Sequence, residues 1–167
     1  MNKTQAILGS SLFLALAPGS VAGLLPYLLG LWHKRPALFG LPATRQLGIV
    51  LILLGLPLLL ESFAHFALVG RGTPAPIRPP ERLVVSGLYR YVRNPMYVAI
   101  LTVLLGEYLI TANPPLLAYC LTVCVLFHLF VIIYEEPTLA RQFGKPYQDF
   151  KNNVPRWLPR LTPWRGL

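Results

Sequence analysis

The chain has 167 residues, of which 54% are hydrophobic and only 13% charged, and 15 Lys and Arg against 6 Asp and Glu leave a formal charge of +9. Soluble domains carry about 25% charged residues, and so short a chain cannot hide this much apolar surface in a core of its own. With a mean hydropathy of +0.55, the composition excludes disorder, argues against a soluble enzyme or a simple nucleic-acid binder, and points to a small integral membrane protein.

The first apolar block covers residues 5–32, carries no charge, and is followed by His33-Lys34-Arg35. A signal peptide has a shorter apolar core and a cleavage site. Ala15-Leu16-Ala17 resembles such a site only weakly, and the apolar run continues through Leu31. A retained helix is therefore expected, kinked near Pro18-Gly19 or Pro26. The second block, 46–69, is long enough to cross about 30 Å of hydrocarbon. It carries Glu61 and His65 one turn apart on one face. They form either an interfacial pair or the polar wall of a cavity. Residues 71–81 are rich in Pro and Gly and predict an extended linker of restricted flexibility.

The third apolar stretch, 96–134, is too long for one straight span, and Thr111-Ala112-Asn113-Pro114-Pro115 divides it. Asn before two prolines breaks helical hydrogen bonding, so a helical hairpin with arms of about 97–111 and 115–134 is expected. Glu107 and His128 lie inside these arms and are expected to face protein or a cavity, because lipid penalises them. The predicted fold is all-α: a polytopic membrane protein with four transmembrane helices, the last two a hairpin, and a cytoplasmic C-terminal helical and extended segment. Residues 1–70 would supply two N-terminal transmembrane helices and 71–167 the catalytic region. Lys34, Arg35 and Arg45 fall on one side of such a bundle and the other 12 of the 15 basic residues on the opposite side. The excess of positive charge predicts that both termini are cytoplasmic. Anionic lipid headgroups then account for the +9 without a nucleic-acid partner, and no obligate protein partner is predicted.

The segment before the third stretch reads Gly87-Leu88-Tyr89-Arg90-Tyr91-Val92-Arg93-Asn94-Pro95-Met96-Tyr97. Asn94 is placed to cap the following helix and Pro95 suits its first turn. The free amides there, with Arg90 and Arg93, suit an anion; an interfacial anchor would show the same composition. After the apolar stretch come Glu135 and Glu136, expected at a helix C-terminus. There the dipole disfavours them, so Arg90, Arg93, Arg141 or a cationic ligand should compensate. Leu139, Phe143 and Tyr147 recur every fourth residue and mark an amphipathic helix, with Gly144-Lys145-Pro146 a possible break. Residues 154–159 with Pro163-Trp164 suggest a strap at the membrane interface.

Other constellations are bland. Cys120 and Cys124 are expected to pack in the core. His33, His65 and His128 lack metal-ligand spacing, so no metal is expected. No Ser-His-Asp or Gly-x-Ser-x-Gly pattern is visible, and Ser86-Gly87 reads as a turn. Gly9, Gly19, Gly23 and Gly30 would permit close helix contacts, within one chain or between copies.

Two of these regions together resemble the membrane methyltransferases of the isoprenylcysteine carboxyl methyltransferase and phospholipid N-methyltransferase group. The first is the 87–97 segment, against the family form Gly-x-Tyr-x-x-x-Arg-His/Asn-Pro-x-Tyr. The second is Glu135-Glu136-x-x-Leu139-x-x-x-Phe143-Gly144-x-x-Tyr147, followed by Val154-Pro155-Arg156-x-Leu158-Pro159. The resemblance covers residues 83–159. It implies S-adenosyl-L-methionine as methyl donor, S-adenosyl-L-homocysteine as product, and a cofactor site on the cytoplasmic side. It implies that Arg93, Asn94, Pro95, Tyr97, Glu135 and Glu136 enclose the cofactor, with Tyr89, Leu139 and Tyr147 lining or supporting the site. Glu136, Arg93 and Arg90 are the residues expected on the catalytic side. Asn94 replaces the His of the eukaryotic carboxyl methyltransferases, as in bacterial relatives, and so implies a bacterial inner membrane. Phe150 replaces a Tyr common in the family. The acceptor would be a lipophile: a phospholipid amine, an isoprenylcysteine-like carboxylate or another small molecule. A non-catalytic membrane scaffold and a membrane reductase stand as alternatives, the latter because residues 144–159 also resemble a segment of membrane sterol reductases.

Overall fold

A computed structural model describes residues 3–69 and 82–166. The linker expected at 71–81 lies outside the described residues. Helix α1 (Lys3–Gly19) runs through a π turn (Ser20–Leu24) into the short α2 (Leu25–Leu28). The irregular turn lies between the two prolines expected to kink the rod, Pro18 and Pro26. Helix α3 (Ala43–Val69) follows. Helix α4 (Pro95–Thr111) and helix α5 (Pro114–Phe130) are separated by two residues. A second π turn (Val131–Glu135) carries α5 into α6 (Glu136–Phe143), and α7 (Lys145–Asn153) comes last. No strand occurs among the described residues.

Three helical stretches are long and apolar enough to cross a membrane: Ser11–Leu28, Ala43–Phe66 and Pro114–Phe143. Helix α4 is apolar but shorter, with 17 residues. The outer faces stay greasy: Leu16, Leu53, Leu60, Leu121 and Val125 are exposed. In water that surface would be untenable, whereas lipid tails cover it without cost. The chain is an all-α integral membrane protein. Cys124 belongs to this outer face and is exposed, so the core position expected for it is wrong; Cys120 is buried as expected.

The interior forms where α4 is enclosed by its neighbours. Ala99, Ile100 and Leu104 pack with Leu59 and Phe63 of α3 and with Cys120 and Val123 of α5, and Phe13 of α1 closes one side. Helices α3 and α4 touch backbone to backbone. A Cβ on Gly48 would lie 2.6 Å from the Gly106 carbonyl oxygen, and one on Gly106 would lie 2.7 Å from that of Gly48. Small residues give this approach. Of the glycines expected to permit close helix contacts, Gly19 and Gly23 make none between helices of this chain: Gly23 has nothing within 4 Å of a built Cβ, and Gly19 meets only the carbonyl of Leu14 in its own helix.

Between α4 and α5, Ala112 takes a left-handed conformation (φ 50°) and its N–H donates to Tyr108 O at 2.7 Å. Asn113 then precedes Pro114 and Pro115, whose missing N–H groups cost nothing in a first helical turn. The turn docks on the segment after α2. Arg35 N–H donates to Thr111 O and Asn113 Nδ2 to Leu31 O, both at 2.8 Å. Trp32 Nε1 donates to Glu107 Oε2 at 3.1 Å, giving that carboxylate a protein partner. The far end of the bundle gathers the end of α3, residues 82–94 and residues 132–166.

Candidate active site

A 3-10 turn, Gly87–Arg90, opens the segment before α4 and buries Tyr89. Asn94 occupies the N-cap position of α4, but its side chain does not cap the helix. Its Nδ2 donates to Arg156 O at 3.1 Å instead. The reason is a competing partner: the chain after α7 runs back alongside 90–93. Arg93 N–H donates to Pro155 O, Arg160 N–H to Tyr91 O and Trp164 N–H to Arg90 O, each at 2.9 Å. The expected interfacial strap is therefore joined to the motif in antiparallel order. Trp157 adds a side-chain anchor, with Nε1 donating to His128 Nδ1 at 3.1 Å. His128 thus faces protein, as expected.

The glutamate pair corrects a second expectation. The rod does not end at Glu135-Glu136. Glu136 N–H donates to Val131 O, five residues back, and the helix goes on as α6. Pro137 has no N–H to donate and its ring crowds the preceding turn, and a π turn absorbs such a defect. With no helix end there, the dipole argument for a compensating charge does not apply.

The two carboxylates meet different surroundings. Glu136 is buried and receives three cations: Arg93 Nη1 at 3.0 Å, Arg156 Nε at 2.6 Å and Lys151 Nζ at 3.0 Å. Glu135 receives the Tyr97 hydroxyl at 2.5 Å, and no ion pair reaches it among the described residues. Of the cations expected to compensate the pair, only Arg93 does so. Arg90 turns away and donates from Nε to Trp164 O at 2.6 Å, and Arg141 pairs with neither glutamate among the described residues. Arg93 Nε is buried without a partner.

These groups enclose a narrow cleft of about 20 Å³, lined by Arg93, Asn94, Val131, Glu135, Glu136, Leu139, Tyr147 and Phe150. Tyr97 reaches it through Glu135, and its ring lies against Phe127 (centroids 4.6 Å apart) and near Trp157 (6.4 Å). Tyr89 lies behind the lining, in a buried cluster with Tyr147, Phe150 and Val154. Pro95 is buried in the first turn of α4. Arg90 stands outside the lining. Burial, then the charge of Glu135, pushes the Tyr89 phenol well above its ordinary range. Burial, then Glu136, raises that of Tyr147. Both remain neutral. Its hydrogen bond to Glu136 holds Arg156 above the ordinary guanidinium range. Arg156 and Lys151 as counter-charges, and Val131 and Phe150 as walls, were not identified from sequence. Phe150 was within reach, because it lies three residues after Tyr147 on one helical face.

Chemically, and among the described residues, the cleft offers a carboxylate without a counter-cation beside aromatic rings, and a buried guanidinium nitrogen without an acceptor. The first attracts a cation and the second an anion. Among the described residues no three His, Cys, Asp or Glu side chains come together as metal ligands.

Residues 43–146 match the family described as phospholipid methyltransferase. The chain belongs to that family. The match runs from the start of α3 to the start of α7 and so takes in both glutamates and the 87–97 motif. Among members of this and related groups, the chain is 36% identical over 85 residues to a phosphatidylethanolamine N-methyltransferase of Phaeosphaeria nodorum, covering 51% of this chain and 9% of that protein. It is 34% identical over 103 residues to a protein-S-isoprenylcysteine O-methyltransferase of Schizosaccharomyces pombe, covering 60% and 40%. It is 35% identical over 74 residues to a methanethiol S-methyltransferase 2 of Bradyrhizobium diazoefficiens, covering 44% and 27%. The chain thus spans less than half the length of each of these relatives. No solved structure matches it.

Proposed function

We propose that the protein is a membrane-embedded methyltransferase that uses S-adenosyl-L-methionine and acts on a lipophilic acceptor. The observation that carries this reading is the unequal glutamate pair: Glu136 is met by three basic side chains, while among the described residues Glu135 is met by the Tyr97 hydroxyl and by no cation. Family membership supports it. The residues fit the donor, which joins cationic sulfonium and ammonium groups to a carboxylate. Bound there, S-adenosyl-L-methionine supplies an electrophilic methyl group on sulfur.

The chain's own part is to position and to arrange charge. Glu135 holds the cationic side, and Tyr97 fixes the direction in which that carboxylate points. Arg93 Nε and the amides at the start of α4 face the anionic side, with Asn94 and Pro95 shaping that turn. Glu136, read from sequence as a catalytic-side group, has the proposed task of holding Arg93 in place. Tyr89 and Tyr147, neutral throughout, and Leu139 form the wall that excludes water. Arg90 ties down the strap through Trp164 and acts as a positioning residue.

The three relatives are named as N-, O- and S-methyltransferases, so the acceptor atom differs among them. A phospholipid amine, an isoprenylcysteine-like carboxylate and another small lipophile all remain within the proposal. The acceptor would enter from the bilayer while the donor enters from the cytoplasm. In this reading 1–70 is a two-helix support and 71–167 the catalytic region. Helix α4 is the fourth crossing, helped by tilt or local thinning, and forms a hairpin with α5. Both termini face the cytoplasm of a bacterial inner membrane.

Calorimetry with the protein purified in detergent tests the site: S-adenosyl-L-homocysteine should bind and a reduced nicotinamide cofactor should not. Absence of S-adenosyl-L-homocysteine binding to folded protein would falsify the proposal. The topology predicts that cysteines introduced singly at Lys34 and Lys151, in a background without Cys124, react with an impermeant maleimide from opposite sides of the membrane. Reaction from one side sinks the four-span arrangement.

A further inference from the structure

Glu61 and His65 lie in α3, outside the cleft lining and outside the 87–97 motif, yet both reach that motif. His65 Nε2 is 3.2 Å from Glu61 Oε1, and His65 Nδ1 is 3.0 Å from Ser86 Oγ. The same Glu61 oxygen accepts the Leu88 N–H at 3.3 Å. Gly87, between those two residues, has φ +54°, and a Cβ there would overlap the Glu61 carboxylate and lie 2.7 Å from His65 Nε2. Three consecutive residues of the turn are thus held against one face of α3, and the glycine is required both by its backbone angle and by the closeness of that face.

We infer that Glu61, His65 and Ser86 form a positioning network that sets the Gly87–Arg90 turn, and through it Tyr89 and Arg93, for ligand binding in the cleft. The inference rests on the methyltransferase reading for the ligand but not for the network itself. The hydrogen bonds show the path. Tyr89 N–H donates to Ser86 O at 3.1 Å, and the N–H groups of Tyr91 and Val92 donate to Leu88 O at 2.9 and 3.2 Å. Fixing Ser86 and Leu88 therefore fixes the turn. Tyr89 enters the cluster shared with Tyr147 and Phe150, both of which line the cleft. Arg93 follows within one further turn and lines the cleft.

Simple adhesion of the turn to α3 would not call for these residue types. Polar and ionisable side chains are costly in a membrane helix, and apolar contact between the same surfaces would hold them together more cheaply. Hydrogen bonds add direction, which an apolar contact lacks. The polar trio specifies how the turn faces, which matters only if residues further along must point accurately. The N-terminal half of the chain then takes part in the site without touching its ligand.

The test compares His65→Leu, which keeps bulk, with His65→Gln, which keeps a polar reach, on the detergent-purified full chain. For His65→Leu, binding of S-adenosyl-L-homocysteine should weaken about tenfold, and for His65→Gln it should stay within about threefold of the parent, the scale of one or two hydrogen bonds. Both variants should share one thermal midpoint. Parent-like binding by His65→Leu overturns the inference, as does a His65→Gln variant no better than His65→Leu. Should His65→Leu fail to fold, Ser86→Ala replaces it and should weaken binding about threefold, parent-like binding counting against. If the parent binds no S-adenosyl-L-homocysteine, the methyltransferase reading fails, and hydrogen exchange of the ligand-free protein still decides the network. Faster exchange of the Leu88, Tyr89, Tyr91 and Val92 amides in His65→Leu, restored in His65→Gln, supports it; unchanged exchange overturns it.

Discussion

Replacing Glu136 by glutamine is expected to destabilise the protein by about 3–5 kcal/mol, the usual cost of removing one partner from a buried ion pair. The Glu136 side chain and its partner Arg93 are each only 9% exposed. Without the anion, Arg93 is left buried and uncompensated, and its Nε already lacks a partner. Arg156 loses a 2.6 Å contact as well. Lys151 matters least, because its side chain is 42% exposed and water screens it. The new amide offers one neutral oxygen, and its NH2 group must face at least one of the three cations, donor against donor. For a chain of this size the loss corresponds to a fall of about 10 °C in the thermal midpoint, readable by unfolding in detergent. An unchanged midpoint would show that the three cations do not depend on Glu136.

Glu135→Gln should behave in the opposite way. The amide oxygen can still accept the Tyr97 hydroxyl, and no ion pair is lost, so the thermal midpoint should stay near that of the parent. Binding of S-adenosyl-L-homocysteine should weaken at least about tenfold, because a charge-assisted hydrogen bond to the ligand ammonium becomes a neutral one. Parent-like binding by Glu135→Gln would remove Glu135 from the site. The family resemblance implies that both glutamates enclose the cofactor, and from that alone either substitution would weaken binding and leave the fold intact. The geometry separates them into a residue that holds the site together and a residue that holds the ligand.

Much of this protein was legible before any coordinates. The apolar stretches appear as helices because hydropathy in lipid is a strong, local signal, and Asn113-Pro114-Pro115 divides the third stretch where expected. Arg93, Asn94, Glu135, Glu136, Leu139 and Tyr147 do converge on one cleft. What escaped has a common cause. Asn94 looks like a helix cap, but the Arg156 carbonyl outcompetes that role. Arg90 looks like a site residue, but the Trp164 carbonyl takes its guanidinium. Arg156 shares a motif with Glu136 that does not say the two touch, and Lys151 carries no pattern at all. In each case the partner lies far along the chain or is a backbone atom, and neither leaves a trace in residue spacing. The close contact of Gly48 with Gly106 was missed likewise, since glycines at apolar positions look alike until two helices are brought together.

The π turn at Val131–Glu135 has a further consequence. It holds one residue more than a regular turn, and each residue of an α-helix advances the side chains by about 100°. Deleting one residue there would let the rod continue as an unbroken α-helix while swinging everything beyond it, Glu136 included, about a quarter turn around the axis. The carboxylate would then face away from Arg93 although every nearby residue type was kept. The orientation of the pair thus depends on an insertion in the helical count, and the facing residues of α5 and α6 fall out of phase with a single 3.6-residue repeat.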